Sequence, residues 1–251
     1  MINNFFLDRM KLASQKKKII SFHNLYKNER CFIIGNGPSL TIDDLNTLHK
    51  NNEFCFGSNR IYICFEQTAW RPSFYTISDG VMLAEYFDEI KNLPLKHIFI
   101  SDYYLKHGGK RMPGVYTYNL DTTRYFPYFP KFADDVSIKM YEGFTVTYIN
   151  IQLAVYMGFT QLYLLGVDFQ YSNYIDTSGI VIDSTKQDYF MPTYIKPGEH
   201  RNIPQLNNSL QAYRKAEMVS QVKNYKIFNA TRGGKLEVFE RINFDSIWQS
   251  I

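Results

Sequence analysis

No apolar run in the chain approaches the ~20 residues that a bilayer-spanning helix needs, and its first residues lack the apolar core of a secretory leader. Cysteine is scarce. Cys31, Cys55 and Cys64 are odd in number, lack metal-type spacing and lie in apolar, strand-like runs. A disulfide scaffold is thereby excluded, and the three read as reduced core thiols of a cytoplasmic protein. The Walker lysine motif and the three-glycine dinucleotide fingerprint are both missing. So are internal repeats, low-complexity tracts and any linker long enough to separate one domain from another. Charge of one sign is not in great excess: 28 Lys and Arg against 24 Asp and Glu leave +4, which does not call for nucleic acid.

What is present is apolar and aromatic. Apolar residues make up 45% of the 251 positions and charged ones 21%, enough for a packed core. Aromatics reach 17%, with 20 Tyr and 20 Phe; such residues fill cores and also line sugar and base pockets. The positive charge is uneven. Residues 1–30 carry Arg9, Lys11, Lys16, Lys17, Lys18, Lys27 and Arg30 near Phe5, Phe6, Leu7, Met10 and Leu12. This predicts a basic N-terminal helix, either solvated or resting on the inner face of a membrane.

Short apolar runs recur: CFIIG at 31–35, EFCFGSN at 53–59, SFYTISD at 73–79, HIFIS at 97–101, VYTYN at 115–119, QLYLLGVD at 161–168 and KIFNAT at 226–231. Several barely alternate, as strands buried on both faces should. Helical patterns lie between them, at 41–50 with Thr41 and Asp44 as a capping box, at 80–92, at 145–159 with Gly158 as its stop, and from about Pro204 to Val222. The alternation predicts one α/β domain over 31–251, a doubly wound, mostly parallel Rossmann-like sheet. The aperiodic segment at about 169–204 is long for a connection and reads as an inserted lid.

Gly35-Asn36-Gly37-Pro38-Ser39 follows the first strand. In a doubly wound sheet, ligands bind beyond the carboxyl ends of the strands. Glycines there allow close backbone approach to an anion, and the next helix is expected to present unpaired N–H groups. The stretch therefore reads as a phosphate cradle, with Ser39 as a further donor. Ser58 and Asn59, Asp79, and Asp168 end three other runs, giving a polar rim suited to a ribose, base or sugar; turn or helix capping is the alternative role for the two carboxylates. Arg232 with Gly233 and Gly234 ends a further strand, either as a donor or acceptor contact or as a glycine turn with a solvated arginine.

FIIGNGPSL, then GSNRIY, then GFTVTYINIQLAVYMGFTQLYLLGVDFQY together resemble a family of bacterial Rossmann-like proteins, the 6-hydroxymethylpterin diphosphokinase-like (MptE-like) family, often found with surface-polysaccharide genes. The same arrangement is similar to the small bacterial sialyltransferases that use CMP-sialic acid. The likeness spans roughly 31–66 and 143–174, and more loosely 190–235. It implies nucleotide contacts from Gly35, Asn36, Gly37, Ser39 and Asn59, with Thr145 opening the long helix. It also implies donor-phosphate contacts from Tyr171 and Tyr174, and a histidine base, for which His200 is the local candidate. Arg201 and Lys196 stand beside it as phosphate contacts. Where the sialyltransferases have Ser-Gly, this chain has Thr145-Val146-Thr147, a departure that bears on the donor sugar.

The leading expectation is thus a metal-independent glycosyltransferase that moves a sugar from a nucleotide donor, with a CMP-sugar favoured, to a bacterial surface glycan. It needs no cofactor beyond the donor. A diphosphokinase using Mg²⁺ and ATP, with Asp79, Asp102 and Asp168 as metal ligands, and a non-catalytic nucleotide- or glycan-binding protein are the alternatives.

Overall fold

The computed structural model describes residues 18–123, 130–172, 174–175, 181–182, 188–196 and 202–248. All seven apolar runs form strands of one sheet: β1 (Arg30–Ile34), β2 (Phe54–Ser58), β3 (Phe74–Ile77), β4 (Ile98–Ser101), β5 (Tyr116–Tyr118), β8 (Gln161–Leu165) and β11 (Lys226–Asn229). β12 (Glu240–Arg241), too short to show in the sequence, adds an edge. Two ribbons stand apart, β6 (Leu120–Asp121) with β7 (Met140–Tyr141), and β9 (Tyr174–Ile175) with β10 (Val181–Ile182).

The order is β12-β11-β8-β1-β2-β3-β4-β5, and every pairing within this sheet is parallel. From β1 the chain runs outward through β2 to β5, then returns to β8 on the other side. The order therefore reverses between β1 and β8, and a crevice opens at such a reversal.

Helices cover both faces, as the strand–helix alternation predicts. They are α1 (Ile42–Lys50), α2 (Gly80–Glu85), α3 (Phe87–Lys91), α4 (Asp102–Lys106), α5 (Val146–Met157) and α6 (Leu206–Ser220). The pattern at 80–92 gives two helices because the chain breaks at Tyr86. Alternate strand residues feed two cores: Cys31, Ile33 and Phe56 pack with α5 and α6, while Phe32, Ile34 and Cys55 pack with α1 to α4. All three cysteines are buried and unpaired. Burial pushes the Cys55 thiol up to about 12.

Residues 1–17 of the expected N-terminal helix lie outside the described residues. Residues 18–20 are helical and turns follow to 28. Ile19 and Phe22 are buried in the α5–α6 core, and Phe22 meets His97, Phe99 and Tyr116 edge-on or tilted. This stretch belongs to the domain and is not a helix set apart from it at residue 30. No helix among the described residues is long and apolar enough to cross a membrane.

Candidate functional site

Two turns meet where the strand order reverses. Gly35 N–H donates to the Leu165 carbonyl at 2.7 Å, and Gly37 N–H to the Gly166 carbonyl at 2.9 Å. The contact leaves no room for a side chain. A Cβ on Gly35 would stand 2.7 Å from the Gly166 carbonyl carbon and 2.9 Å from Val167 Cγ2. One on Gly37 would run into the Asp168 carboxylate. The second turn is held from behind, since Val167 N–H donates to Thr231 Oγ1 at 3.1 Å and Lys235 N–H to the Asp168 carbonyl at 2.7 Å.

This geometry corrects the expected phosphate cradle. The two glycine amides are occupied by carbonyls of β8 and its turn. Ser39 is occupied as well: its Oγ donates to Asp168 Oδ2 at 2.8 Å and its N–H to the same oxygen at 3.4 Å. The N-terminus of α1 is closed by its own capping box, with Asp44 N–H donating to Thr41 Oγ1 at 3.1 Å and Thr41 N–H to Asp44 Oδ2 at 3.0 Å. A carboxylate thus stands where a phosphate was expected, and like charges repel.

Over these turns lies a cleft of about 1700 Å³. It runs along the strand ends from β8 to β5 and is bounded by the start of α5 and by residues 188–195 and 202–209. Gly35, Asn36, Gly37, Ser58, Asn59, Asp79, Thr145, Asp168 and Tyr171 all line it, so nine of the expected site residues come together. Asn36 Nδ2 donates to the Ser58 carbonyl at 3.2 Å and Tyr75 OH to the Asn59 carbonyl at 2.5 Å. Asn36 Oδ1 and Asn59 Oδ1 are buried and receive no hydrogen bond from the described residues.

Asp168 is only 7% exposed. Burial pushes its carboxyl above the ordinary value, with the Ser39 hydrogen bonds pulling the other way. Asp79 has the capping role, taking the N–H groups of Val81 and Met82 at 2.8 and 3.2 Å, while its Oδ2 accepts from Asn202 Nδ2 at 3.1 Å. Thr145 caps α5, whose first turn carries no acid, and its Oγ1 lies 3.3 Å from Tyr213 OH. Burial raises the Tyr171 and Tyr213 hydroxyls above the ordinary tyrosine value. Both stay neutral donors.

Three cleft residues, Asn59, Phe144 and Phe169, hold left-handed backbone at φ 53°, 56° and 54°. For phenylalanine that conformation is strained, and such strain gathers at functional sites. The described part of the expected lid docks across β1 and β2. Phe190 N–H donates to the Asn36 carbonyl at 3.0 Å, and the buried Arg60 guanidinium donates to the carbonyls of Thr193 and Tyr194. Tyr189 and Tyr194 stack at 4.0 Å.

Two expectations are overturned. Arg232 does not reach the cleft: it bridges Asp44 at 2.6 Å and Asp245 at 2.9 Å on the α1 side of the sheet, because the acidic first turn of α1 attracts it. Arg232→Ala is therefore expected to destabilise the fold by about 1–3 kcal/mol in a denaturant titration and to leave ligand affinity unchanged; weakened affinity would restore Arg232 to the site. Asp102 also lies off the cleft, accepting from Leu120 N–H at 2.9 Å and pairing with Lys106 at 2.7 Å. His200 and Arg201, and the side chain of Tyr174, lie outside the described residues.

Sequence reasoning does not single out His107, yet it lines the cleft, as does Lys110. Its only local signal is HGGK, a histidine before a glycine pair. Among the described lining residues, the carboxylates of Asp79, Glu85, Glu142, Asp168 and Asp188 outnumber these two basic groups. No three His, Cys, Asp or Glu among the described residues stand close enough to hold a metal ion.

The family described as 6-hydroxymethylpterin diphosphokinase MptE-like matches residues 4–174, about two thirds of the chain, and the chain belongs to it. No curated protein matches. Among solved structures, the MAf glycosyltransferase of Magnetospirillum magneticum AMB-1 is similar over 94% of this chain, at 16% identity and a TM-score of 0.51. The match covers 39% of that protein, and identity at this level speaks for the shared fold alone.

Proposed function

We propose that this MptE-like family member is a glycosyltransferase that binds a nucleotide-sugar donor, a CMP-sugar in the first instance, and passes its sugar to a glycan acceptor. The observation that carries the reading is the cleft at the strand-order reversal. Its 1700 Å³ exceeds the ~300–1000 Å³ of an ordinary small-molecule pocket, so two substrates fit side by side. Asn36 and Asn59 supply amides for a base or ribose, and Asp168 supplies a carboxylate for ribose hydroxyls. The donor's phosphate belongs at the start of α5, where Thr145, Val146 and Thr147 line the cleft and a helix N-terminus without acidic residues favours an anion. The half-buried, neutral Tyr171 is its hydroxyl donor. Hydroxyls and backbone N–H groups there stabilise the departing phosphate.

A thermal-shift screen of CMP, CDP, UDP, GDP and ATP, with and without Mg²⁺, tests this. At a hundredfold excess over Kd a ligand adds about 2.7 kcal/mol, or roughly 5–10 °C for a chain of this length. A shift with CMP or CDP without metal is expected. No shift with any cytidine nucleotide would sink the proposal.

The second reading, diphosphate transfer from Mg²⁺ and ATP, draws on the family description and on the acidic lining. Asp102 is unavailable to it, leaving Asp79 and Asp168 of the expected set. Magnesium would then be held chiefly by phosphate oxygens and water, as is usual for that ion. Binding of ATP that depends strictly on Mg²⁺ favours this reading.

A further inference from the structure

We propose that His107 is the general base of the transfer and takes the proton from the acceptor hydroxyl. This rests on the nucleotide-sugar reading above and assigns the acceptor half of the same cleft. His107 is the one histidine among the described residues that lines the cleft. It follows the last turn of α4, with Nδ1 2.7 Å from the Tyr103 carbonyl oxygen. A carbonyl only accepts, so Nδ1 carries the hydrogen and Nε2 keeps its lone pair. The ring lies over that of Tyr103, centroids 4.0 Å apart, and the residue stands exposed at the rim of the cleft. Gly108 comes next with left-handed backbone (φ 85°) and open space where a side chain would be. Gly109 is pressed against the Tyr104 ring, so neither residue screens the imidazole from the cleft.

Position supports the role. His107 stands beyond the end of β4, four strand spacings from β8, or about 19 Å. The cleft continues from the β1 and β8 turns along the strand ends to His107, so a donor anchored at those turns and running that way would place its sugar between the nucleotide and His107. Lys110 lies on the same turn, its Nζ 5.5 Å from the Phe87 ring centroid, and gives that end of the cleft its positive charge.

In the transfer, the acceptor O–H bond breaks and the proton passes to Nε2. The acceptor oxygen forms the new bond to the anomeric carbon. The bond from that carbon to the phosphate oxygen breaks, and its electron pair leaves with the nucleotide. His107 then releases the proton to water.

The test compares wild type, His107→Gln and His200→Gln by nucleotide release in the presence of acceptor, across pH, with the nucleotide-induced thermal shift measured on each. The charged groups around His107 are Lys106 and Lys110 on its own turn, Asp102 at the start of α4, and Asp79, which caps α2, with Glu85 at the end of α2, the helix that packs on α4. His107→Gln is expected to lower kcat about 10²–10³-fold, to remove the fall in rate on the acid side, and to keep the wild-type thermal shift. Wild-type turnover in His107→Gln, or an unchanged acid limb, overturns the proposal, as does loss of turnover in His200→Gln alone. A wild type that shows no nucleotide shift overturns the donor reading itself, and this assignment with it.

Discussion

Gly35→Ala is expected to lower the melting temperature by roughly 6–12 °C and to abolish the nucleotide-induced shift. The added methyl would stand 2.7 Å from the Gly166 carbonyl carbon and 2.9 Å from Val167 Cγ2. Neither neighbour can retreat cheaply. Gly166 is itself in left-handed backbone at φ 70°, and Val167 is tied to Thr231. Over-packing of a well-packed site costs about 1–3 kcal/mol, more when backbone must move, so about 3 kcal/mol is the expected loss. Each kcal/mol is worth about 2–4 °C at this chain length. Gly80→Ala is the control. It also lines the cleft, but its nearest contact would be an ordinary 3.7 Å to the Tyr104 ring, and it should melt near wild type. Equal melting of Gly35→Ala and Gly80→Ala would mean that the two turns are not locked together.

Asp168→Asn is expected to stabilise the fold at neutral pH while weakening nucleotide binding roughly 10- to 100-fold, the range for a lost hydrogen bond to a charged group. Burial raises the Asp168 carboxyl above its ordinary 3.8, so ionisation costs the folded state. The stabilisation that the protonated form gives is complete below about 3.8 and is lost as pH rises through the higher folded value. Asparagine never ionises and can still accept from Ser39 with its amide oxygen. Its melting temperature should therefore exceed wild type at pH 7, and the gap should close as pH falls toward 4. What asparagine cannot supply is a second carboxylate oxygen for the ligand. A variant both less stable and fully able to bind would show that Asp168 serves the fold instead of the cleft, opposite to the usual trade between stability and function.

The sheet was legible because its strands are buried on both faces. CFIIG and QLYLLGVD carry unbroken apolar runs, and they pair side by side as β1 and β8, Cys31 opposite Leu162. Helix ends were legible where a side chain closes them, as at Thr41 and Gly158. The phosphate cradle failed for a reason already written in the same stretch. A capping box and an anion compete for the same N–H groups, and Thr41 with Asp44 had claimed them. What the sequence could not reveal is the bond from Ser39 to Asp168, 129 residues away, which puts a carboxylate against the glycine turn. Nor could it reveal that Asp44 draws in Arg232 from 188 residues along the chain. His107 escaped notice because only the fold brings the end of α4, the helix that follows β4, to the rim of the cleft.

The most direct measurement is a crystal structure of the chain grown with CMP. The nucleotide should lie between the turns at 35–37 and 166–168, its base or ribose on Asn36 and Asn59, and its phosphate at the start of α5 beside Thr145. CMP bound elsewhere, or phosphate seated on the amides of residues 35–39 with Asp168 displaced, would contradict this account of the site.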